Sequence, residues 1–405
     1  MNIIIQTQYY LPEIGAPQTR LHELALGLVR NGIDVTVLTA MPSYPRGRIY
    51  DGYQGWLKVE YLDGVKIVRT AIYPTQSAGM LRRMFNYFSF VFSSLLIGSW
   101  KLGDVDFVLT ESPPLFLGIA GSMLSRWKKA RWIFNLSDLW PESAVELGVI
   151  SRKGLGYKLS SALEGYLYKQ AWLVTGQSKT IIENIHARFP DLRTYHLPNG
   201  VDVNYFQPAD AQSGKGRLHI VYAGLHGLAQ GLDQILMAAH KLSPEDGIDF
   251  TFVGDGPEKV KLMQLAKELN LSHFHFLESV PKDKLLPILC WADILMVPLK
   301  IQLTGAVPSK LYEAMSMGKP VILIAGSEAE KIVKAANCGL VVHPGDIDQL
   351  VFAINYFKTH PEERNRMGAN GRQAAIQNHD RAQIADQFAK FLINHLKESR
   401  DISLG

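Results

Sequence analysis

The sequence predicts an α/β protein with two doubly wound parallel-sheet domains that face a central cleft. Short apolar runs rich in β-branched residues alternate with longer helical patterns along the 405 residues. These runs are continuously apolar, which is typical of parallel strands buried on both faces of a sheet. The series is interrupted near Pro198–Asp202 and again at 208–216, a polar stretch with linker composition near the midpoint.

Each predicted strand is one of these apolar runs. The first half contains Ile3–Gln8, Val35–Ala40, Lys66–Ala71, Phe107–Thr110, Trp132–Leu136 and Leu173–Gly176. The second half contains His219–Ala223, Phe250–Gly254, His275–Leu277, Ile294–Pro298, Val321–Ala325 and Leu340–His343. Helical patterns such as Arg20–Arg30 and Glu258–Asn270 lie between them. Ligands of such sheets bind at the carboxyl ends of the strands, so the cleft between the domains is the predicted site.

The composition indicates a globular protein and excludes several classes. Hydrophobic residues make up 47% and charged residues 20%, so disorder is not expected as the main state. Cys290 and Cys338 cannot build a disulfide framework, and no CxxC pair suggests zinc, which favours the cytoplasm. Met1–Gln6 lacks a basic segment and begins a strand pattern, so we expect no signal peptide.

The charge distribution is weakly asymmetric. The net charge of +4 is too small to indicate nucleic acid as a partner. Residues 1–205 carry 21 Lys and Arg against 16 Asp and Glu, so the first half is the basic half. Chance explains a difference of this size as well as an anionic partner does.

Residues 84–100 form a charge-free segment flanked by Arg82, Arg83 and Lys101. As a helix it would be about 26 Å long, short of the roughly 20 residues that a bilayer crossing needs. Asn86, Ser89 and Ser93 fall on one helical face, which makes the segment partly amphipathic. It is either a core helix of the first domain or a helix that touches a membrane or a lipid acceptor.

Several common motifs are absent or incomplete. No GxxxxGK[ST] occurs, which argues against a P-loop NTPase. Gly254–Pro257 begins like a dinucleotide fingerprint but reads as a tight strand-to-helix turn. Asp104–Asp106 has the DxD pattern, yet this pattern is frequent by chance, so we expect no metal site.

The loop after the first predicted strand is long and contains small residues. Gly15 and Ala16 precede a helix, so the backbone there could approach an anion at the helix N-terminus. The same loop could be only a strand-to-helix connection.

The strongest constellation is 303–322, where a Gly-containing loop precedes a helix. Lys310 lies in the first helical turn, where the helix dipole disfavours a cation. A bound phosphate would explain it, since backbone N–H groups, the dipole and the ammonium would act together. Glu313 could accept hydrogen bonds from ribose hydroxyls on the same face. The alternative is an exposed Lys310–Glu313 surface pair.

With these motifs in order, the chain resembles the retaining GT-B glycosyltransferases of family 4 over nearly its whole length. Within this family, the chain most resembles bacterial surface-polysaccharide enzymes such as the WbuB-like N-acetyl-L-fucosamine transferases. The resemblance rests on Gly15, Gly32–Thr39, Asp138–Ser143, Pro198–Asp202, Val253–Pro257 and Pro308–Ile322.

The resemblance implies two Rossmann-like domains and a C-terminal helix that returns to the first one. With the midpoint interruption as the division, the predicted boundaries are 1–205 for the acceptor-binding domain and 206–380 for the nucleotide-sugar domain, and the resemblance adds 381–405 as the returning helix. Donor contacts are expected at loop positions where small residues or backbone groups meet the ligand. These are Gly15, Ala16, Gly224, Gly254, Val280, Gly305, Ala306, Ser309, Lys310 and Glu313.

The sequence departs from the family pattern at three places. The first glutamate of a Glu-x7-Glu pair is replaced by Gly305, and Glu313 matches the second. Residues 224–231 lack the Arg and Lys that commonly hold the diphosphate, which leaves Lys310 as the obvious cation. Asp138 stands near the usual first-domain histidine and becomes the candidate beside the reacting sugar; it could instead be a helix N-cap.

These features predict a metal-independent glycosyltransferase with Asp138, Lys310 and Glu313 as catalytic candidates. The donor would be a UDP-sugar, used as a substrate with no cofactor. The acceptor would be a polyprenyl-diphosphate-linked saccharide at the inner membrane surface, with the enzyme cytoplasmic and peripherally attached. A sugar-nucleotide epimerase and a non-catalytic nucleotide-binding subunit are the alternatives.

Overall fold

The computed structural model describes residues 1–76, 79–209, 216–300 and 303–402. The chain divides into two compact units, one from 1–199 together with the segment from Arg381 onward, the other Gly200–Asp380. The predicted linker 208–216 falls mostly on 210–215, outside the described residues.

The first unit is built on a mostly parallel sheet. Its strands are β1 (Asn2–Gln6), β2 (Asp34–Ala40), β3 (Leu57–Leu62), β4 (Val65–Thr70), β5 (Phe107–Ser112), β6 (Arg131–Leu136), β7 (Leu173–Gly176) and β8 (Thr194–His196). They lie in the order β3-β4-β2-β1-β5-β6-β7-β8, with β3 antiparallel to β4. The helices between them are α1 (Ala16–Arg30), α2 (Met80–Leu96), α3 (Leu117–Trp127), α4 (Glu142–Glu146), α5 (Leu155–Gln170) and α6 (Lys179–Arg188). A 3₁₀ helix, Gly98–Lys101, follows α2.

The second unit has a parallel sheet with the doubly wound order β11-β10-β9-β12-β13-β14. Its strands are β9 (Leu218–Ala223), β10 (Ile248–Val253), β11 (Phe274–Leu277), β12 (Ile294–Pro298), β13 (Val321–Ile324) and β14 (Gly339–Val342). Its helices are α7 (Asp233–His240), α8 (Lys259–Glu268), α9 (Lys282–Trp291), α10 (Ser309–Ser316), α11 (Ser327–Ala336), α12 (Ile347–Thr359) and α13 (Pro361–Asn378). Short 3₁₀ helices cover Leu228–Gln230 and Pro244–Asp246.

Both sheets are covered on two faces by apolar side chains. In the second unit Phe250 and Ile294 belong to one core, and Val221 and Val297 to the other. The α/β fold class predicted from the sequence is therefore confirmed, and every run predicted as a strand is a strand within two residues at either end.

The last helix, α14 (Arg381–Ile402), belongs to the first unit. Its Phe388 and Leu392 are fully buried in the core with Leu24 and Leu28 of α1. The Arg381 guanidinium forms an ion pair with Glu23 at 2.5 Å, which fixes the start of the helix.

The second unit begins before the predicted boundary of 205/206. Val201 forms an isolated parallel bridge with Asp380, and Val203 and Phe206 pack into the core of the second unit. The physical boundary at 199/200 therefore follows these contacts, whereas the prediction followed the polar composition that comes after them.

The charge-free segment 84–100 falls on α2 and the following 3₁₀ helix. One face is buried, with Phe90 fully enclosed and Asn86 and Ser93 almost so. Phe92 and Trp100, by contrast, are 59% and 81% exposed. The segment 84–100 is therefore not a purely internal core helix. Across the described ranges, none of the helices combines the length and apolar character required to span a bilayer.

Candidate active site

In the second unit, the candidate donor residues converge at the switch point of the sheet. The strand order reverses between β9 and β12, so the loops that follow these strands diverge and leave a crevice. Gly224 follows β9, Gly254 follows β10, and Gly305 follows β12. Lys310 then lies in the first turn of α10, the helix that leads back to the sheet.

Lys310 lies across the backbone of Gly224. A methyl group added at Gly224 would overlap Cε of Lys310 and lie 2.6 Å from its Nζ. The helix α10 that carries Lys310 has no acidic residue in its first turn. Within the described residues, no carboxylate pairs with the Lys310 ammonium, so the alternative of a Lys310–Glu313 surface pair is not formed. The result is an uncompensated cation at a helix N-terminus.

Gly224 and Gly254 are packed against each other. Gly224 donates its N–H to the Val253 carbonyl at 2.8 Å, and a methyl group at Gly254 would overlap the Gly224 carbonyl oxygen. The φ of Gly254 is +144°, a conformation that side-chain-bearing residues rarely adopt. These two glycines bring backbone close to the space beside Lys310.

The loop before α10 explains why the first family glutamate is missing. Gly305 is buried with φ of +78°, in the region that favours glycine. The neighbouring Ala306 donates its N–H to the Leu303 carbonyl at 3.1 Å, which closes a tight turn. A glutamate at 305 would need a different backbone here.

Three further predicted contacts lie near the same edge. Ser309 opens α10, and Glu313 is half-buried one turn further along the helix. Val280 follows β11, which lies two strands from β9 in the sheet. Strands two places apart are separated by about 10 Å.

Sequence reasoning missed two residues of this edge, His226 and Lys259. The ring of His226 is fully buried among Tyr222, Phe252 and Phe276, and neither ring nitrogen has a partner in the described part of the chain. Burial lowers the pKa of His226, and the Lys259 ammonium lowers it further. A lone histidine in an apolar-looking loop gives no sequence signal of this kind.

Lys259 supplies a second cation at the carboxyl edge. It is the first residue of α8, and its side chain is 8% exposed. Its Nζ lies 2.8 Å from Glu278 Oε1, in the loop that also contains Val280. Unlike Lys310, this ammonium is therefore neutralised by a carboxylate.

In the first unit, Gly15 and Ala16 stand at the start of α1, as predicted. Gly15 is the N-cap and no side chain caps the helix. The loop before it, Tyr9–Gly15, is held by buried Glu13, whose Oε1 accepts the N–H groups of Ser43 and Tyr44 at 2.7 Å each. Burial raises the pKa of Glu13 despite these bonds. No local sequence pattern indicates that Glu13 holds the loop in this way.

A buried polar network underlies the carboxyl ends of β5 and β6. Arg20 Nη2 lies 2.5 Å from Glu111 Oε1, and both side chains are at most 5% exposed. Ser137 and Asn135 donate to the two oxygens of the same carboxylate. The network fixes the backbone at Ser137, immediately before Asp138.

Asp138 is half-buried in the turn after β6, and its Oδ1 is fully buried without a partner in the described residues. Burial, with a smaller contribution from the Glu111 carboxylate, raises the pKa of Asp138 from 3.8 to about 7. The alternative role as an N-cap is not seen, because α4 starts after Pro141 with no side-chain cap. Near neutral pH this carboxyl can therefore both give and take a proton.

The DxD pattern has a structural role. The Asp106 carboxylate accepts the N–H of Asn2 at 2.8 Å, and the Asn2 side chain donates to the Asp104 carbonyl at 3.0 Å. These bonds tie the starts of β1 and β5 together, at the edge opposite Asp138. Of the residues that the structure describes, no three His, Cys, Asp or Glu side chains are grouped to hold a metal ion.

Comparison with known proteins assigns a family to each half. Residues 15–200 match the glycosyl transferase 4-like domain, and residues 206–374 match glycosyl transferases group 1. The putative colanic acid biosynthesis glycosyl transferase WcaI of Escherichia coli (strain K12) is 26% identical over 376 residues, which cover 87% of this chain and 91% of WcaI.

Solved structures share the fold over nearly the whole chain. Sucrose-phosphate synthase from Thermosynechococcus elongatus has a TM-score of 0.79 at 18% identity, covering 98% of this chain and 99% of that one. Anabaena HepE in complex with UDP has a TM-score of 0.71 at 16% identity, covering 97% and 100%. The GT-B fold expected from the sequence is thereby confirmed.

Proposed function

Because this chain is a glycosyltransferase built from a 4-like and a group 1 domain, we propose that it transfers a sugar from a UDP-sugar to a lipid-linked saccharide during bacterial surface-polysaccharide assembly. The likeness to WcaI supports the polysaccharide context, in O-antigen, capsule or exopolysaccharide synthesis. HepE, which was solved with UDP, supports the choice of nucleotide.

The observation that carries the proposal is the unpaired Lys310 ammonium lying over Gly224 at the start of α10. As the glycosidic bond breaks, negative charge grows on the leaving diphosphate. Lys310, the helix dipole and the N–H groups around Ser309 would stabilise that charge more in the transition state than in the bound donor. Glu313 would hold the ribose, which does not change during the reaction.

In the first unit, Asp138 is our candidate beside the reacting sugar. Its raised pKa suits a carboxyl that accepts the proton of an acceptor hydroxyl or stabilises positive charge at the anomeric carbon. Retention of configuration follows from the family resemblance. A polyprenyl-diphosphate acceptor implies work at the cytoplasmic face of the inner membrane, to which the enzyme would be peripherally attached.

The test uses UDP-sugars with a lipid-linked acceptor, and UDP-linked N-acetyl-L-fucosamine is the first donor to try. We expect Lys310→Met to lower turnover by about 10²–10³-fold, the usual loss for one electrostatic donor. Glu313→Gln should chiefly raise the donor KM. Lys334→Met removes an exposed charge of the same unit, on α11, and serves as the matched control. EDTA should change none of these rates.

The outcomes also separate the alternatives. An epimerase would release an isomerised UDP-sugar when no acceptor is present. A non-catalytic subunit would bind UDP and never turn over. Near-normal turnover of Lys310→Met, or activity that EDTA abolishes and Mg²⁺ restores, would contradict the proposed mechanism.

A further inference from the structure

The helix α2 differs from an ordinary surface helix, because several of its polar side chains point into the first unit beside the buried Phe90. Gln8 Nε2 donates to Asn86 Oδ1 at 2.7 Å, and Gln6 Nε2 donates to Ser94 Oγ at 3.1 Å. Asn86 is 6% exposed and Ser94 is fully buried. The inward face of α2 is thus fixed to the residues at and after the end of β1.

The outward face of α2 is apolar. We define the apolar ridge as Leu81, Phe85, Phe92, Leu96 and Trp100, which are between 59% and 81% exposed. Spacings of four and seven residues place the α2 members on one side of the helix, and Trp100 continues the line in the 3₁₀ helix. Single exposed apolar residues are common, but a continuous ridge of large ones indicates an interaction surface.

Basic residues stand at both ends of the apolar ridge. Arg82 and Arg83 are exposed in the first turns of α2. At the other end, Lys66 Nζ donates to the Lys101 carbonyl at 2.9 Å, and Lys128 Nζ donates to the Leu102 carbonyl at 2.6 Å. The second of these bonds also brings the end of α3, with its 62% exposed Trp127, next to Leu102.

We propose that the apolar ridge lies in the headgroup region of an anionic bilayer, with these cations on the lipid phosphates. The inference rests on the proposed function only for the idea that the acceptor is lipid-linked. Large apolar side chains beside lysine and arginine are the pattern of helices that lie in the membrane interface. A second copy of the chain fits less well, since pairing two such faces would bring cations from both ends together.

The orientation of α2 determines how it lies on the membrane. Its inward hydrogen bonds to Gln6 and Gln8 would break if the helix entered the bilayer, so it stays parallel to the surface. Because Gln8 leads into the loop Tyr9–Gly15, the bilayer surface is placed beside the carboxyl edge of this sheet. A lipid-linked acceptor could then reach the edge that carries Asp138 without leaving the membrane.

Only some apolar residues of α2 can be replaced without disturbing the packing of the helix. Phe88 is half-buried and its ring lies 5.0 Å from that of Phe116, so its replacement disturbs the packing of α2 on α3. Phe92 and Leu96 are 59% and 68% exposed, and are the sharper targets.

The experiment is co-sedimentation of the full chain with phosphatidylcholine vesicles, with and without phosphatidylglycerol. We expect binding to the phosphatidylglycerol vesicles, weakened about tenfold or more in a Phe92→Gln/Leu96→Gln variant and also by Arg82→Gln/Arg83→Gln. Leu155→Gln/Leu159→Gln changes two similarly exposed leucines of α5 and should leave binding unchanged. UDP binding and the melting temperature show that each variant is folded.

Several results would overturn the inference. These are no binding of the unaltered chain to anionic vesicles, an equal loss in the α5 control, or a dimer that the Phe92→Gln/Leu96→Gln variant dissociates. If that variant melts early, the arginine variant decides the question, because Arg82 and Arg83 are exposed. Vesicle binding without sugar transfer would refute only the proposed function, and transfer in detergent without vesicle binding would refute only this inference.

Discussion

Replacing Asp138 by Asn should change how the stability of the first unit depends on pH. The folded protein raises the pKa of this carboxyl from 3.8 to about 7, chiefly through burial and secondarily through Glu111. Between these two values the folded state holds a proton that the unfolded chain releases. The stabilisation is therefore complete at acidic pH and is lost as the pH rises through about 7.

The size of the effect follows from the two pKa values. The pKa of Asp138 is 3.8 in the unfolded chain and about 7 in the folded one, and linkage converts this difference into a pH dependence of stability. Because of Asp138 alone, the unfolding free energy should fall by about 2 kcal/mol between about pH 5.5 and pH 8. Asparagine does not ionise, so Asp138→Asn should lack this part of the pH dependence. Between the lower and the higher pH, the unfolding free energy of Asp138→Asn should therefore rise by about 2 kcal/mol relative to that of the unaltered chain.

Urea denaturation followed by tryptophan fluorescence measures this difference. Of the seven tryptophans, Trp291 alone belongs to the second unit, so the signal reports mainly on the first. Asp34→Asn, which changes an exposed aspartate at the start of β2, is the control and should keep the full pH dependence. If Asp138→Asn and the unaltered chain show parallel pH profiles, Asp138 is not the buried proton site described here.

One substitution and one truncation also probe the first unit. Arg20→Leu leaves the buried Glu111 carboxylate without its ion-pair partner, so we expect a loss of about 3–5 kcal/mol in urea denaturation, against almost none for the exposed Arg46→Leu. Ending the chain before Arg381 removes Phe388 from the first core; hydrogen exchange should then speed up in β1 and β2 while β9 and β10 keep their protection.

The strands that could be predicted from the sequence are those that consist of a continuous apolar run. Continuous apolar runs predicted every strand that is buried on both faces. Leu57–Leu62 and Thr194–His196, at the two edges of the first sheet, were missed because neither contains an unbroken apolar run, unlike the edge strand β14 of the second sheet. The residues of β3 are at most half-buried and those of β8 are half-buried, so neither needs an unbroken apolar run.

The candidate site was predictable only where one local rule was broken. Lys310 stood out because a cation in a first helical turn opposes the dipole. His226 and the Arg20–Glu111 pair gave no such signal, since their roles come from residues far apart in the chain, 20 and 111 for the ion pair. The orientation of α2 was equally hidden, because its inward polar face depends on partners in Gln6 and Gln8.

Two glycines at the second-unit switch point should respond to different degrees to the same added methyl group. At Gly224, whose φ of +157° also disfavours a side chain, the methyl meets the end of the flexible Lys310 side chain, which can move aside. At Gly254 it meets the carbonyl of Gly224, so the backbone itself must shift, at a φ of +144°. We therefore expect Gly224→Ala to cost about 1–3 kcal/mol of stability, and also to weaken UDP binding because the methyl group fills the space where the diphosphate is proposed to lie. Gly254→Ala should cost more stability than Gly224→Ala, because it adds a backbone clash to the same kind of strain. Calorimetric titration with UDP and thermal melting of both variants separate the two effects. If Gly224→Ala binds UDP normally, then the space between Gly224 and Lys310 is not where the diphosphate lies, and the donor site must be sought elsewhere along this edge.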